Sequence, residues 1–354
     1  MQTLYIRADA TQKIGTGHVM RCIALAQAWQ DTEGKVVFIS HCQSNLIKQR
    51  ILDEGFNLVG IERFYSHFND FKIFRNCISS VSKGKETLSR DWVVLDGYHF
   101  DTAYQKSIQE AGYKLLVIDD YAHLNCYHAN LLLNQNINAL DYGYTCDKDT
   151  ILLLGADFIL LRNEFLAYKK YRWGVPEKIK KILVTLGGAD PDNITLKVIQ
   201  AIDKFNDREF NVKIIVGPEN TNSEELKKYL FSVSFSNELL DNVSNMPELM
   251  AWADLVISAA GSTCWELCFI GVPSLLIIAA ENQSGIGIEL DRCGAAINLG
   301  WHENVDKNKI YFALKEIINS ASILKKMSEK GKKIVDGNGA KKVIFEVMKL
   351  SGIK

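Results

Sequence analysis

Short continuous apolar runs, with charge only at their ends, constrain this fold more than anything else in the chain. Trp92-Val93-Val94-Leu95-Asp96, Lys114-Leu115-Leu116-Val117-Ile118 and Ile151-Leu152-Leu153-Leu154-Gly155 have no alternate polar residues to turn toward water. A strand buried on both faces sits in a parallel sheet with helices over each side. Helical patterns do separate these runs. Leu4–Ala8 precedes a helix over Val19–Gln30, Val36–Ile39 one over Asn45–Glu54, and Asn57–Gly60 a mostly helical stretch over Phe68–Leu88. Thr102–Ala111 follows the run at Trp92, and Leu131–Asn136 adds another strand. Periodicity fades over Tyr168–Lys181, around Trp173-Gly174-Val175-Pro176, and then the alternation restarts. Lys181–Leu186, Val212–Val216, Leu255–Ser258, Pro273–Ile278 and Ala295–Leu299 read as strands. Ile194–Phe205, Glu224–Phe231, Met246–Trp252 and Cys264–Phe269 read as helices between them, and the tail is helical. At 354 residues the chain exceeds one ordinary domain and suits two. The expected fold is α/β: two doubly wound Rossmann-like domains facing across a cleft. One spans 1–170 and the other 178–336, with a terminal helix over 337–354 able to pack back toward the first.

Composition narrows the function. Hydrophobic residues at 47% and charged residues at 23% are those of a soluble globular chain. A net charge of −1 lacks the basic field of a nucleic-acid binder. No apolar run is long enough for a membrane span, and no secretory signal opens the chain. Eight scattered cysteines without a C-x-x-C pair read as buried thiols in a reducing cytoplasm.

Ligands of doubly wound sheets bind beyond the carboxyl ends of the strands. Asp9, His18, Asp96, Tyr98, Asp119 and Asn134 fall at such ends. The first end carries Ile14-Gly15-Thr16-Gly17-His18-Val19-Met20-Arg21-Cys22, a glycine loop opening a helix. Gly15 and Gly17 permit close backbone approach, and a helix start offers unpaired N–H groups. A dinucleotide fingerprint would carry a third glycine; here an imidazole follows the second, with Arg21 one turn later. Either the loop presents His18 to a ligand, or His18 is a helix-start residue packed for structure.

In the second half, Gly187-Gly188 follows a strand and Gly261-Ser262-Thr263 precedes a helix. Ser262 and Thr263 can cap that helix while its free N–H groups form an anion site suited to a diphosphate. Glu266, one turn on, can accept both hydroxyls of a ribose. The plain alternative is a capped helix with a solvated Glu266. Asn282-Gln283 adds amide side chains near the same edge.

Taken in order, these motifs resemble one family. They include Asp9…Ile14–Cys22, Asp96-Gly97-Tyr98, Ile118-Asp119-Asp120 and Leu132-Leu133-Asn134-Gln135-Asn136. Leu161-Arg162-Asn163-Glu164-Phe165, Leu186–Pro191, Ser258–Leu267 and Glu281-Asn282-Gln283 follow. Over about residues 1 to 300 the chain resembles the UDP-2,4-diacetamido-2,4,6-trideoxy-β-L-altropyranose hydrolases of pseudaminic acid biosynthesis. Its second half is also similar to the UDP-binding domain of the N-acetylglucosaminyltransferase that completes lipid II. The resemblance implies the GT-B fold, with a sugar-binding catalytic domain first and a UDP-binding domain second. It implies a cytoplasmic enzyme in the biosynthesis of a nine-carbon sugar for surface polysaccharide and flagellin glycosylation. It further implies a UDP-sugar substrate cleaved at C1 with no metal or other cofactor.

Carried onto this chain, the family's essential histidine falls on His18 and its tyrosine on Tyr98. The UDP-binding turns fall on Gly187-Gly188 and Gly261-Ser262-Thr263, with Glu266 on the ribose; Arg162 matches a family position. One departure is the length of Phe68–Arg90. UDP is a good leaving group, so the carboxylate pair of ordinary glycosidases is not required. An imidazole, with an ordinary pKa of ~6.5, can hold water and take its proton, giving inversion at C1. Asp9 is expected to orient that imidazole, and Tyr98 to bond sugar or water. The alternatives are a GT-B glycosyltransferase, in which an acceptor hydroxyl replaces water, and a nucleotide-sugar sensor without turnover.

Overall fold

A computed structural model describes residues 2–11, 14–62, 67–82, 91–206, 208–217, 220–241 and 243–352. They divide into two α/β units, residues 1–162 with 338–354, and residues 163–337. The helix expected over Phe68–Leu88 is present as far as Ser82; the remainder of that stretch lies outside the described residues.

The first unit contains β1 (Thr3–Ala8), α1 (Gly17–Gln30), β2 (Lys35–Ser40), α2 (Asn45–Asp53), β3 (Asn57–Gly60) and α3 (His67–Ser82). It continues with β4 (Trp92–Asp96), α4 (Thr102–Glu110), β5 (Lys114–Ile118), β6 (Leu131–Asn134) and β7 (Ile151–Leu154). These strands form one parallel sheet in the order β3-β2-β1-β4-β5-β6-β7. Alternation along each strand sorts its residues into two layers. Leu4, Ile6, Ala8, Trp92 and Val94 face one side and pack with Val19, Cys22, Ile23 and Leu25 of α1. Tyr5, Val93 and Leu95 face the other, against Phe74 of α3 and Tyr104 and Ile108 of α4. Each fully buried side chain of this kind contributes about 1.5–3 kcal/mol over its exposed state. Layers of this size offset the several kcal/mol that each buried ion costs at the strand ends.

The second unit contains α5 (Asn163–Leu166), β8 (Lys181–Thr185), α6 (Ile194–Asp203), β9 (Asn211–Val216), α7 (Ser223–Leu230) and β10 (Ser236–Asp241). Then come α8 (Met246–Trp252), β11 (Leu255–Ala259), α9 (Thr263–Ile270), β12 (Ser274–Ile278), α10 (Ser284–Arg292) and β13 (Ile297–Trp301). Helices α11 (Lys307–Ile317) and α12 (Ala321–Ile334) complete it. Its strands are also all parallel, in the order β10-β9-β8-β11-β12-β13. The last helix, α13 (Gly339–Leu350), belongs to the first unit, where Ala340, Val343, Ile344 and Val347 join the α1 layer. Gly339 is needed there: a Cβ would stand 2.2 Å from the Ile159 carbonyl oxygen.

Strand β10 and helix α10 are absent from the sequence reading. Strand β10 is an edge strand, exposed along most of its length, so it carries no apolar alternation to read. Helix α10 includes Gly285 and Gly287, which weaken the helical pattern. Gly287 packs where a Cβ would lie 3.2 Å from the Ala260 side chain.

Candidate active site

In each sheet the strand order reverses once, between β1 and β4 and between β8 and β11. Such reversals open a crevice at the carboxyl ends, where doubly wound folds bind ligands. The chemistry-bearing motifs of both units lie at these two places.

In the first unit the loop after β1 turns at Gly15, whose φ of +77° favours glycine. Its N–H bonds to the Thr11 carbonyl at 2.8 Å. Helix α1 starts at Gly17 with no side-chain cap. His18, Arg21 and Cys22 then share one helix face, and all three reach Asp96 at the end of β4. Asp96 pairs in register with Ala8, whose side chain lies in the α1 layer, so its carboxylate faces α1. His18 Nδ1 lies 2.6 Å from Asp96 Oδ1. Arg21 donates to the same carboxylate through Nε and Nη2, at 2.7 Å each, and through Nη1 to Asp120 at 2.7 Å. The Cys22 thiol donates to Asp96 Oδ2 at 3.4 Å. Burial pushes the Asp96 carboxyl up, but Arg21 and His18 outweigh it and hold the group well below the ordinary carboxylate range. In the neutral ring an ionised oxygen at this distance puts the proton on His18 Nδ1 and leaves the lone pair on Nε2, which makes no hydrogen bond among the described residues. The imidazole is therefore both packed, at 7% exposure, and oriented.

Tyr98 stands edge-on to His18, ring centroids 4.9 Å apart. Its hydroxyl donates to Asp120. Burial and the Asp120 charge push its pKa far above the tyrosine range, so it stays neutral.

Two expectations change. Asp9 does not orient His18. It pairs with Arg7, accepts from the His41 N–H at 2.7 Å and lies 3.0 Å from His99 Nε2. Arg7 holds Asp70 of α3 at 2.9 Å, and Tyr104 of α4 donates to the same carboxylate at 2.7 Å. Residues 5, 7 and 9 share the α3/α4 face, whereas α1 covers the opposite one, so alternation keeps Asp9 away from His18. Burial raises the Asp9 pKa, but His99 and Arg7 bring it down to about 2. Arg21, expected on substrate, has its fork on Asp96 and Asp120 instead. It anchors the site's carboxylates.

The amides of Asn134-Gln135-Asn136 also serve the scaffold. Asn136 Nδ2 donates to Asp120 at 3.0 Å, Asn134 Nδ2 to the Tyr144 hydroxyl at 2.8 Å, and Gln135 accepts from the Leu160 N–H at 2.8 Å. Arg162 is buried at the last residue of the first unit's main segment.

In the second unit β8 and β11 are paired neighbours, so Gly187-Gly188 and Gly261-Ser262-Thr263 emerge side by side. Ser262 and Thr263 do not cap α9. Ser262 has helical backbone, φ −58° and ψ −24°, which leaves its hydroxyl unable to fold back onto the first turn. Both hydroxyls remain without a partner among the described residues. Gln283 accepts from the Ala279 N–H at 2.9 Å, and its Nε2 lies 3.6 Å from where a Gly261 Cβ would be. Glu266 is half-buried one turn into α9, and Asn282 is the middle residue of the 3₁₀ turn Glu281–Gln283. At the start of α6 the Asp190 carboxylate accepts from the N–H groups of Ile194 and Thr195 at 2.8 and 2.9 Å, so those two donors are occupied. Gly217, not singled out from sequence, closes on Gly188: a Cβ there would stand 2.3 Å from the Gly188 carbonyl oxygen.

Together these features define a two-domain protein of the GT-B type, each domain with its motifs at a topological switch point. Residues 181–343, somewhat less than half of the chain, match the glycosyltransferase family 28 C-terminal domain. An uncharacterised protein of Methanocaldococcus jannaschii is 28% identical over 286 residues, 78% of this chain and 56% of that protein. The chain thus spans little more than half of that relative's length. The UDP-2,4-diacetamido-2,4,6-trideoxy-β-L-altropyranose hydrolase of Campylobacter jejuni is 23% identical over 304 residues, covering 83% of this chain and 97% of the relative. At that identity the link is distant. Among solved structures, MurG of Acinetobacter baumannii shares the fold with a TM-score of 0.67 at 15% identity, over 99% of this chain and 100% of that one. Among the described residues no helix is long and apolar enough to cross a membrane.

Proposed function

We propose that the chain hydrolyses a UDP-linked 2,4-diacetamido-2,4,6-trideoxyhexose at C1 with inversion, releasing UDP and the free sugar for pseudaminic acid synthesis. The observation that carries this is the ionised Asp96 on His18 Nδ1, which leaves Nε2 as a base beside Tyr98. The named hydrolase of C. jejuni, matched over nearly its whole length, supports water as the nucleophile.

In this mechanism His18 Nε2 holds a water and takes its proton as the water oxygen bonds to C1. The C1–O bond to phosphate breaks, and the electron pair leaves with UDP. Tyr98 accepts a hydrogen bond from the water or a sugar hydroxyl, and the side-chain-free backbone at Gly15 and Gly17 lets the sugar approach closely. The second domain takes the growing charge on the diphosphate through the amides of Gly187 and Gly188 and the α9 start at Gly261, Ser262 and Thr263. Glu266 accepts the ribose hydroxyls, Asn282 and Gln283 line the same edge, and Arg162 contributes a cation to the substrate. Charge stabilisation by these N–H groups is the role a metal would otherwise fill, so the reaction runs without one.

The test is UDP release from UDP-2,4-diacetamido-2,4,6-trideoxy-β-L-altropyranose in ¹⁸O water. His18→Asn lowers turnover about 10²–10⁴-fold, and the label enters the sugar. A folded variant within a few fold of the parent refutes the base, and label in UDP refutes attack at C1. A second reading has its own support, the match to a glycosyltransferase domain over 181–343. In it an acceptor hydroxyl loses its proton to the same imidazole. Turnover that appears only when an acceptor is added establishes that reading instead.

A further inference from the structure

A second histidine stands beside Tyr98. His123 directs Nδ1 at Asp119, and its ring lies 5.4 Å from the Tyr98 ring and 5.6 Å from that of Tyr121. His18 flanks the same tyrosine, so two imidazoles bracket one phenol, each held through Nδ1 by a carboxylate at a strand end. Asp119 is saturated. It accepts from the N–H groups of Tyr121 and Ala122 at 2.9 and 2.6 Å and from the hydroxyls of Tyr144 and Tyr127 at 2.8 and 2.9 Å. Burial raises its pKa, but these donors, His123 first, outweigh it and keep the group ionised. In the neutral His123 ring the proton therefore resides on Nδ1, which leaves Nε2 as a lone-pair acceptor.

That acceptor is buried and finds no hydrogen-bond partner among the described residues. Buried polar atoms without a partner are few in folded proteins, and each calls for an explanation. The turn that produces this one is itself strained. Ala122 adopts φ +55°, a conformation rare for a residue with a Cβ. A carboxylate with five donors and a left-handed alanine fix an imidazole whose outer nitrogen meets no partner among the described residues.

We infer that His123 Nε2 is a substrate-binding atom, reserved for an amide N–H of the sugar's acetamido groups. The inference rests on the UDP-sugar reading above. For the sugar to reach Nε2, the half-buried Tyr121 ring turns aside, while Tyr98 keeps its bond to Asp120. An amide N–H then donates to Nε2, and the sugar is held next to His18 through the tyrosine both imidazoles touch. His123 thus binds and orients; it transfers no proton.

Two substitutions separate this from a structural role. In His123→Asn the side-chain amide can replace the Nδ1 donor to Asp119, but nothing reaches the Nε2 position. In His123→Gln the longer side chain places an acceptor near Nε2 and gives up the Asp119 bond. KM and kcat for UDP-2,4-diacetamido-2,4,6-trideoxy-β-L-altropyranose are measured on the full chain, with UDP affinity by calorimetry. For His123→Asn, KM rises about tenfold, the worth of one hydrogen bond, while kcat falls less than about threefold and UDP affinity holds. His123→Gln stays closer to the parent. The opposite order, Asn like the parent and Gln impaired, overturns the inference and makes the ring a support for Asp119. Both variants matching the parent overturns it as well. A parent chain that releases UDP from no UDP-sugar removes the underlying reading and this inference with it.

Discussion

Asp96→Asn is the sharpest test of how this site is built. The carboxylate receives His18 Nδ1 at 2.6 Å and two Arg21 bonds at 2.7 Å, fully buried. An asparagine keeps one acceptor oxygen and turns an NH₂ group toward a guanidinium or an imidazole N–H, so it cannot satisfy both partners. Breaking a buried pair in this way costs about 3–5 kcal/mol. For a unit of roughly 180 residues that lowers Tm by roughly 6–20 °C. The pH dependence follows from the direction of the shift. A carboxyl held low in the folded chain contributes stability above its unfolded pKa of about 3.9 and loses it as pH falls toward the folded value. The deficit of the variant is therefore constant across neutral pH. Activity falls for a separate reason: without an anion at Nδ1 the ring no longer keeps its proton there. Loss of that tautomer control costs about 10⁴-fold in the catalytic triad where the same change is documented. UDP release is measured at a temperature where circular dichroism shows the variant folded. Because Asp96 acts through His18, the double variant with His18→Asn is no slower than His18→Asn alone. A folded Asp96→Asn within tenfold of the parent, or multiplicative losses in the double variant, refutes the reasoning.

Asp9→Asn behaves differently: it leaves UDP release within about tenfold of the parent, since Asp9 faces away from α1, but it destabilises the first unit. Asp9 titrates at about 2 when folded, so its stability gap against the parent is full above about pH 4 and closes between pH 4 and 2, as denaturant titrations at several pH values report. A gap that widens toward acid contradicts the assignment. Gly217→Ala forces its Cβ to within 2.3 Å of the Gly188 carbonyl oxygen, so backbone must move. Stability falls by about 1–3 kcal/mol and calorimetric UDP affinity weakens with it; unchanged values of both refute the contact.

Much of the architecture was legible because strands buried on both faces announce themselves. Trp92–Asp96 and Lys114–Ile118 were read to the residue. The polar edge strand β10 and the glycine-bearing α10 lack that signal, since neither presents a continuous apolar pattern. The site was legible in position more than in wiring. Strand-end placement gathered Asp9, Asp96, Asp119 and His18, but a strand end has two faces, and alternation decides which carboxylate meets which helix. Asp9 shares its face with Arg7, and Asp96 shares its face with Trp92 and Val94 beneath α1. The neighbours Asp119 and Asp120 are split in the same way: Asp120 goes to Arg21 on the α1 side, and Asp119 to Tyr127, Tyr144 and His123 on the other. Counting parity from the buried apolar residues of each strand would have assigned His18 to Asp96 without coordinates. His123 gave no such signal, because its place depends on a turn with a left-handed alanine that no local pattern encodes. The wiring of the first unit therefore divides along one geometric line. What α1 faces orients His18, what α3 and α4 face ties Arg7, Asp9 and Asp70 together, and Tyr98, between His18 and His123, is where the two sides meet.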